Sequence, residues 1–104
     1  MKLDINFYTE IFEKETSWIE MIKDNLLNVY YLNGDGGLTQ FYKNKYDVLF
    51  NEYKKNNNDR LLFFMDMIKN ILDEINKLTE TYNSGKDINM DKLRGLFITN
   101  QITR

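Results

Sequence analysis

The sequence predicts a small all-α protein, an antiparallel bundle of four helices. Two observations carry that prediction. The first is the stretch from Asp59 to Tyr82, where Leu61, Phe64, Ile68, Ile71, Ile75, Leu78 and Tyr82 follow one another at alternating steps of three and four. That spacing is a helical seam without a miss. The second is composition. Among 104 residues there is no Pro and only five Gly, three of them within residues 34–37, so little interrupts long helices. A hydrophobic fraction of 42% and an aromatic fraction of 14% exclude a disordered chain. The length suits one domain, residues 1–104, with a single modest core.

The first helical region covers residues 4–32. Ile5, Tyr8, Phe12, Ile19, Ile22, Leu26 and Val29 share a seam whose one polar member is Glu15. Phe7, Ile11, Trp18 and Met21 form a second stripe beside it, so the helix meets more than one neighbour. Asp4 is placed to cap it. Ser17 and Glu20 have the spacing of a capping box, which leaves open a junction near Thr16-Ser17; the seam continues in register across it and favours one helix.

Residues 33–37, Asn-Gly-Asp-Gly-Gly, form the strongest breaker, suited to a tight reversal. A second helix follows over 38–55, with Thr39 as its cap and an apolar face of Leu38, Phe41, Tyr42, Tyr46, Leu49, Phe50 and Tyr53. Its tyrosines suggest a half-wet surface. The polar run from Lys54 to Asn58 is read as a loop, with one long helix over 38–83 as the alternative. The third helix, 59–83, spans about 37 Å. Asn58 or Asp59 caps its start and Asn83-Ser84-Gly85 its end. A last helix covers 88–100 with Ile88, Leu93, Leu96 and Phe97 inward, and the end from Thr99 to Arg104 is expected to fray. The rival architecture is a long two-helix hairpin turning at residues 33–37, which dimerises to cover its apolar surface.

The absence of Cys and His removes disulfides, thiol nucleophiles, thiolate metal sites and imidazole bases together. No phosphate loop or nucleophile elbow is present, and no enzymatic role or cofactor is expected. A net charge of −2 argues against direct nucleic-acid binding, although Tyr30, Tyr31, Tyr42, Tyr46 and Tyr53 interleave with lysines in a pattern that can stack on bases. No apolar run nears the ~18 residues of a membrane span. The opening decapeptide carries Asp4 and Glu10 and does not read as a secretory signal, so a cytoplasmic location is expected. Abundant Asn, Lys and Ile without Ala suggests an AT-rich coding sequence, as in low-GC bacteria, their phages and plasmids, or AT-rich protists.

The main partner-binding candidates are Asp59, Asp66, Asp73 and Glu80. Seven residues apart, they line the third helix opposite its seam, and Phe63 is a large ring on the polar side. An acidic row edged by an aromatic suits a basic surface on a protein partner. Tyr42 and Tyr46 of the second helix form another candidate face. The expected function is a non-enzymatic binding module, a small inhibitor, immunity or adaptor protein that masks a surface of a larger protein. A small helical subunit of a nucleoprotein complex and a homodimer are the further possibilities.

Two stretches resemble known families. The segment from Tyr31 to Tyr42 resembles the middle of an EF-hand calcium loop, with Asn33 and Asp35 at the third and fifth loop positions, Gly36 at the sixth, Leu38 at the eighth and Thr39 at the ninth. Tyr31 and Tyr42 stand where that family has its first Asp and its twelfth Glu. The resemblance therefore implies at most a degenerate loop with Asn33, Asp35 and Thr39 as the remaining ligand positions. The turn at Gly34-Asp35-Gly36 also looks like that of the WXG-type helical hairpins exported by type VII secretion. Here Gly34 takes the place of the Trp, and Tyr42 and Tyr46 fall on the family's apolar positions in the following helix.

Overall fold

The computed structural model describes residues 3–102. It contains helices and no strands among those residues: α1 (Ile5–Lys23), α2 (Val29–Asn33), α3 (Leu38–Asn56), α4 (Asp59–Asn83), α5 (Asp91–Leu96) and α6 (Ile98–Ile102). The all-α bundle expected from the sequence is formed, around three long helices. The fourth position is shared by short ones.

The first region is not one helix over 4–32. It runs without a break through Thr16 and Ser17, so the capping-box spacing there goes unused, but it stops at Lys23. Asn25 turns left-handed at φ 56°, its amide donates to the Ile22 carbonyl, and the Leu26 amide donates to Met21 at 2.8 Å. These two bonds close a Schellman stop with Asn in the position usually held by Gly. Asn28 then caps α2 by accepting from the Tyr31 amide. Asp4 caps α1 as expected, accepting from the Phe7 amide at 3.2 Å.

The buried line of α1 is also displaced from the expected seam. Phe7, Ile11, Glu15, Trp18 and Ile22 face the core. Tyr8, Phe12 and Ile19 lie half-buried along one edge, while Ile5 and Leu26 are exposed.

Gly37, not Thr39, caps α3. A side chain at Gly37 would overlap the Tyr31 carbonyl oxygen, so the reversal can close only around a glycine. The run from Lys54 to Asn58 shortens to a two-residue link. Helix α3 continues to Asn56, Asn57 turns left-handed and Asn58 caps α4. Residues 38–83 are therefore two helices joined by a tight antiparallel turn, and the hairpin of two long helices about residues 33–37 is not formed.

Helix α4 has the bounds the seam predicts. Its buried residues include Leu61, Ile68, Ile71, Ile75 and Leu78, each contributing about 1.5–3 kcal/mol on burial. Met65, Met67 and Glu74 are buried beside them, so the inward sector is wider than one heptad line. Phe64 is half-buried and Tyr82 exposed. The helix ends in a second Schellman stop, with Gly85 at φ 77° and the Lys86 amide on the Thr81 carbonyl.

The expected last helix over 88–100 is broken at Phe97, whose ψ of 143° separates α5 from α6. Residues Thr99–Ile102, expected to fray, are helical and held by side-chain bonds; the remaining two of that stretch lie outside the described residues.

Contacts along the helices give their directions. Glu10 meets Lys45, Glu15 meets Tyr42, and Trp18 meets Phe41, so α1 runs antiparallel to α3. Tyr8 meets Phe64 near the start of both helices, so α1 runs parallel to α4. No Cα of α1 comes within 8 Å of one in α3 or α4. Large rings span that distance: Trp18 packs on Phe41, Tyr42 and Phe97 at 5.2–6.2 Å between centroids. Helices α5 and α6 fill the groove between α1 and α4 over its far half.

Candidate functional site

The polar groups inside the bundle come first, because buried chemistry is the usual mark of a reaction centre. Glu15, the one polar residue in the sequence seam, is 0% exposed. Its Oε2 accepts from the Tyr42 hydroxyl at 2.6 Å and the Ile98 amide at 3.0 Å. Its Oε1 accepts from the Thr99 amide at 2.8 Å and the Thr99 hydroxyl at 2.7 Å. Four donors meet a carboxylate that can accept about four, so the group is satisfied without water. Its two amide donors open α6, which makes Glu15 a cap supplied from α1. Burial and the adjacent Glu15 charge push the Tyr42 hydroxyl well above its ordinary value of 10.0. Trp18, Tyr42 and Phe97 close the site off from solvent. The arrangement ties three helices together and offers no opening to a substrate.

Tyr42 was a candidate for partner binding from its place on a tyrosine-rich face. It is fully buried, because Glu15 satisfies its hydroxyl inside the core, and it cannot meet a partner. Tyr46 is half-buried and stacks on the exposed Phe50 at 6.5 Å. Two further charges are buried with partners from other helices. Lys45 pairs with Glu10 at 3.1 Å and lies 5.0 Å from the Phe7 ring centre and 5.2 Å from that of Phe41. Glu74 pairs with Lys92 at 3.4 Å, anchoring α5 to α4.

The loop resembling an EF-hand does not gather its ligand positions. Asn33 Oδ1 accepts from the Thr39 hydroxyl at 3.0 Å, and its amide donates to Thr79 at 2.6 Å. Two of the three positions are thereby bound to each other and to α4, while Asp35 is exposed. No group of three or more acidic side chains among the described residues could hold a metal ion. Beside this turn Tyr30 and Tyr82 meet edge to face at 6.2 Å, and their hydroxyl interaction raises Tyr82.

The outer face of α4 is different. Asp59, Asp66, Asp73 and Glu80 are all exposed, as the sequence placed them, and none forms an ion pair with a described residue. Phe63 lies between the first two and is 60% exposed. It contacts Phe64 at 6.1 Å, Phe64 contacts Tyr8 at 5.4 Å, and Tyr8 contacts Phe7 at 5.2 Å. Burial raises the Tyr8 hydroxyl. Ile5, one turn before Tyr8 on α1, is 75% exposed. Sequence reasoning missed Ile5 and Tyr8 as parts of this surface, having assigned both to the core seam. The ring chain thus runs from the buried Phe7 out to Phe63 beside the acidic row of α4.

These features define a small all-α protein with a closed polar core and one acidic, aromatic-edged face; no helix among the described residues is long and apolar enough to cross a membrane. No protein-family model, no curated protein and no solved structure matches the chain.

Proposed function

We propose that this protein acts by binding another protein and carries no reaction. In this reading it is a small inhibitor, immunity or adaptor protein of a low-GC bacterium, phage or plasmid, and it masks a functional surface of a larger target. The observation that carries the proposal is Phe63, a large ring exposed between Asp59 and Asp66 on a face whose acids form no ion pair with a described residue. An exposed ring costs apolar hydration, and it becomes an anchor when a partner covers it. Exposed carboxylates along the same helix attract a basic partner and orient its approach. The buried carboxylate does not compete with this reading, since its four acceptor sites are filled by the fold.

The test is a tagged pull-down from the native host, with partners identified by mass spectrometry. One stoichiometric larger protein is expected. The double variant Asp66→Lys with Asp73→Lys should weaken its capture at least tenfold. Unchanged affinity would remove the acidic face from the mechanism, and recovery of the protein alone would remove the docking reading itself.

A further inference from the structure

The turn over residues 33–37 plays no part in the docking reading, yet its chemistry is distinctive. Of the asparagines in the chain, Asn33 alone is followed by glycine. In such a pair the following backbone nitrogen can attack the side-chain carbonyl carbon, because glycine has no Cβ to hinder the approach. The fold restrains each participant. Asn33 is the last residue of α2, and the Gly34 N–H donates to the Tyr30 carbonyl at 2.8 Å, so the attacking nitrogen is tied into the helix end. The carboxamide is held at both ends: Oδ1 accepts from the Thr39 hydroxyl at 3.0 Å, and Nδ2 donates to Thr79 Oγ1 at 2.6 Å. Asn33 is exposed, so water reaches it once these bonds open. Helix α2 has five residues, little more than one turn, and a segment that short can open without the rest of the fold.

We propose that Asn33-Gly34 is a deamidation site, held closed by the native turn and released when α2 opens. In the reaction the Gly34 nitrogen loses its proton to solvent and bonds to Asn33 Cγ, and ammonia leaves to give a succinimide. Water then adds at either ring carbonyl and yields aspartate or isoaspartate at position 33. The sum is a carboxamide plus water going to a carboxylic acid plus ammonia, with nothing oxidised or reduced. The product does not rebuild the turn. A carboxylate oxygen replaces the amide donor opposite Thr79, whose own hydroxyl donates to the Ile75 carbonyl at 2.9 Å. Thr79 must then face it as a second acceptor or abandon that bond. Isoaspartate also lengthens the backbone by one carbon, in a turn so tight that a side chain at Gly37 would overlap the Tyr31 carbonyl oxygen. The change makes the net charge of −2 one unit more negative and loosens α2 from α4, so a transient opening leaves a permanent mark.

The full chain is incubated at mildly alkaline pH, folded or in urea, and the amide-to-acid change is followed by peptide mass mapping that separates aspartate from isoaspartate. Asn33 should deamidate faster in urea than in the folded chain, by about tenfold or more. Thr79→Val removes the acceptor of the Asn33 amide and should raise the folded rate by about threefold or more. Tyr42→Phe weakens the fold away from the turn and should leave the folded rate unchanged. Equal acceleration by Tyr42→Phe and Thr79→Val would assign the release to global unfolding and overturn the role of the turn. Equal rates in urea and in buffer would show that the fold does not hold the site closed. No change at Asn33 in urea would overturn the site itself, and isoaspartate arising first at Asp35-Gly36 would move it to the neighbouring pair. Asn33→Asp makes one product directly and should speed hydrogen exchange of the Leu32 and Gly34 amides by about tenfold. Unchanged protection there would overturn the loosening of α2.

Discussion

The two halves of the space between α1 and α4 use the same pair of helices and are filled in different ways. In the far half, α5 and α6 occupy the space, Phe97 and Leu93 are buried, and Glu15 binds the opening amides of α6. In the near half, Tyr8 packs on Phe64 over the buried Phe7, Ile11, Leu61 and Met67, and Ile5 and Phe63 remain largely in water. The difference teaches that helix spacing by itself does not set burial. Because α1 stands off from α4, each stretch between them needs a filler, large side chains such as Phe7 and Tyr8 at one end and the short helices with Leu93 and Phe97 at the other. Mutations at the buried carboxylate and at the exposed ring should therefore separate, stability responding to the first and binding to the second.

The largest expected effect is at Glu15. Glu15→Ala removes the shared acceptor of the Tyr42 hydroxyl, the Ile98 and Thr99 amides and the Thr99 hydroxyl, and should destabilise the fold by about 3–5 kcal/mol. That is a large share of the roughly 5–15 kcal/mol available to a domain of this size. Urea unfolding measures it, and hydrogen exchange should show the Ile98 and Thr99 amides losing protection first. Protection unchanged at those amides would mean that α6 is held by packing alone.

Tyr42→Phe should cost less, about 1–2 kcal/mol at neutral pH, since Glu15 keeps its other donors. It also sharpens the comparison through pH. The folded Tyr42 titrates well above 10.0, the value the unfolded chain retains. Below pH ~10 both states hold the proton and the Tyr42 contribution is complete. As pH rises further the unfolded state loses its proton first, so the contribution fades toward the folded value. The stability gap between wild type and Tyr42→Phe should thus narrow above pH ~10. A constant gap across that range would show that the hydroxyl is not shielded as the closed half requires.

The parts legible in the sequence were those with local signals. Helix α4 has an unbroken seam, a capping Asn58 and a Gly85 stop, and its bounds were read correctly from those marks. The outward acidic row follows from the same periodicity. The stop at Asn25 was hidden, because Asn signals a left-handed turn less strongly than Gly, and the apolar spacing from Ile22 through Leu26 to Val29 imitates a continuing helix. The clasp was hidden for another reason. Glu15 was visible as the polar break in a seam, but its donors on Ile98 and Thr99 lie 83 and 84 residues away, and no local pattern connects them. The same long-range bond explains why Tyr42, half-wet by residue type, belongs to the deep core.

The smallest expected effect is the most discriminating. Phe63→Ala removes a ring from the outer face of α4, where its ring neighbour is Phe64 and most of its surface already faces water. A ring buried in a core costs about 3–5 kcal/mol when truncated to alanine, whereas an exposed one should change stability by no more than about 0.5 kcal/mol. Alanine is also a better helix former than phenylalanine, which offsets part of the lost ring contact. If urea unfolding finds a near-zero change, the aromatic contributes little to folding, and its place between Asp59 and Asp66 becomes a matter of recognition. A loss of about 2 kcal/mol or more would instead mean that Phe63 packs as part of the core in solution, and its place among the acids would need no partner to explain it.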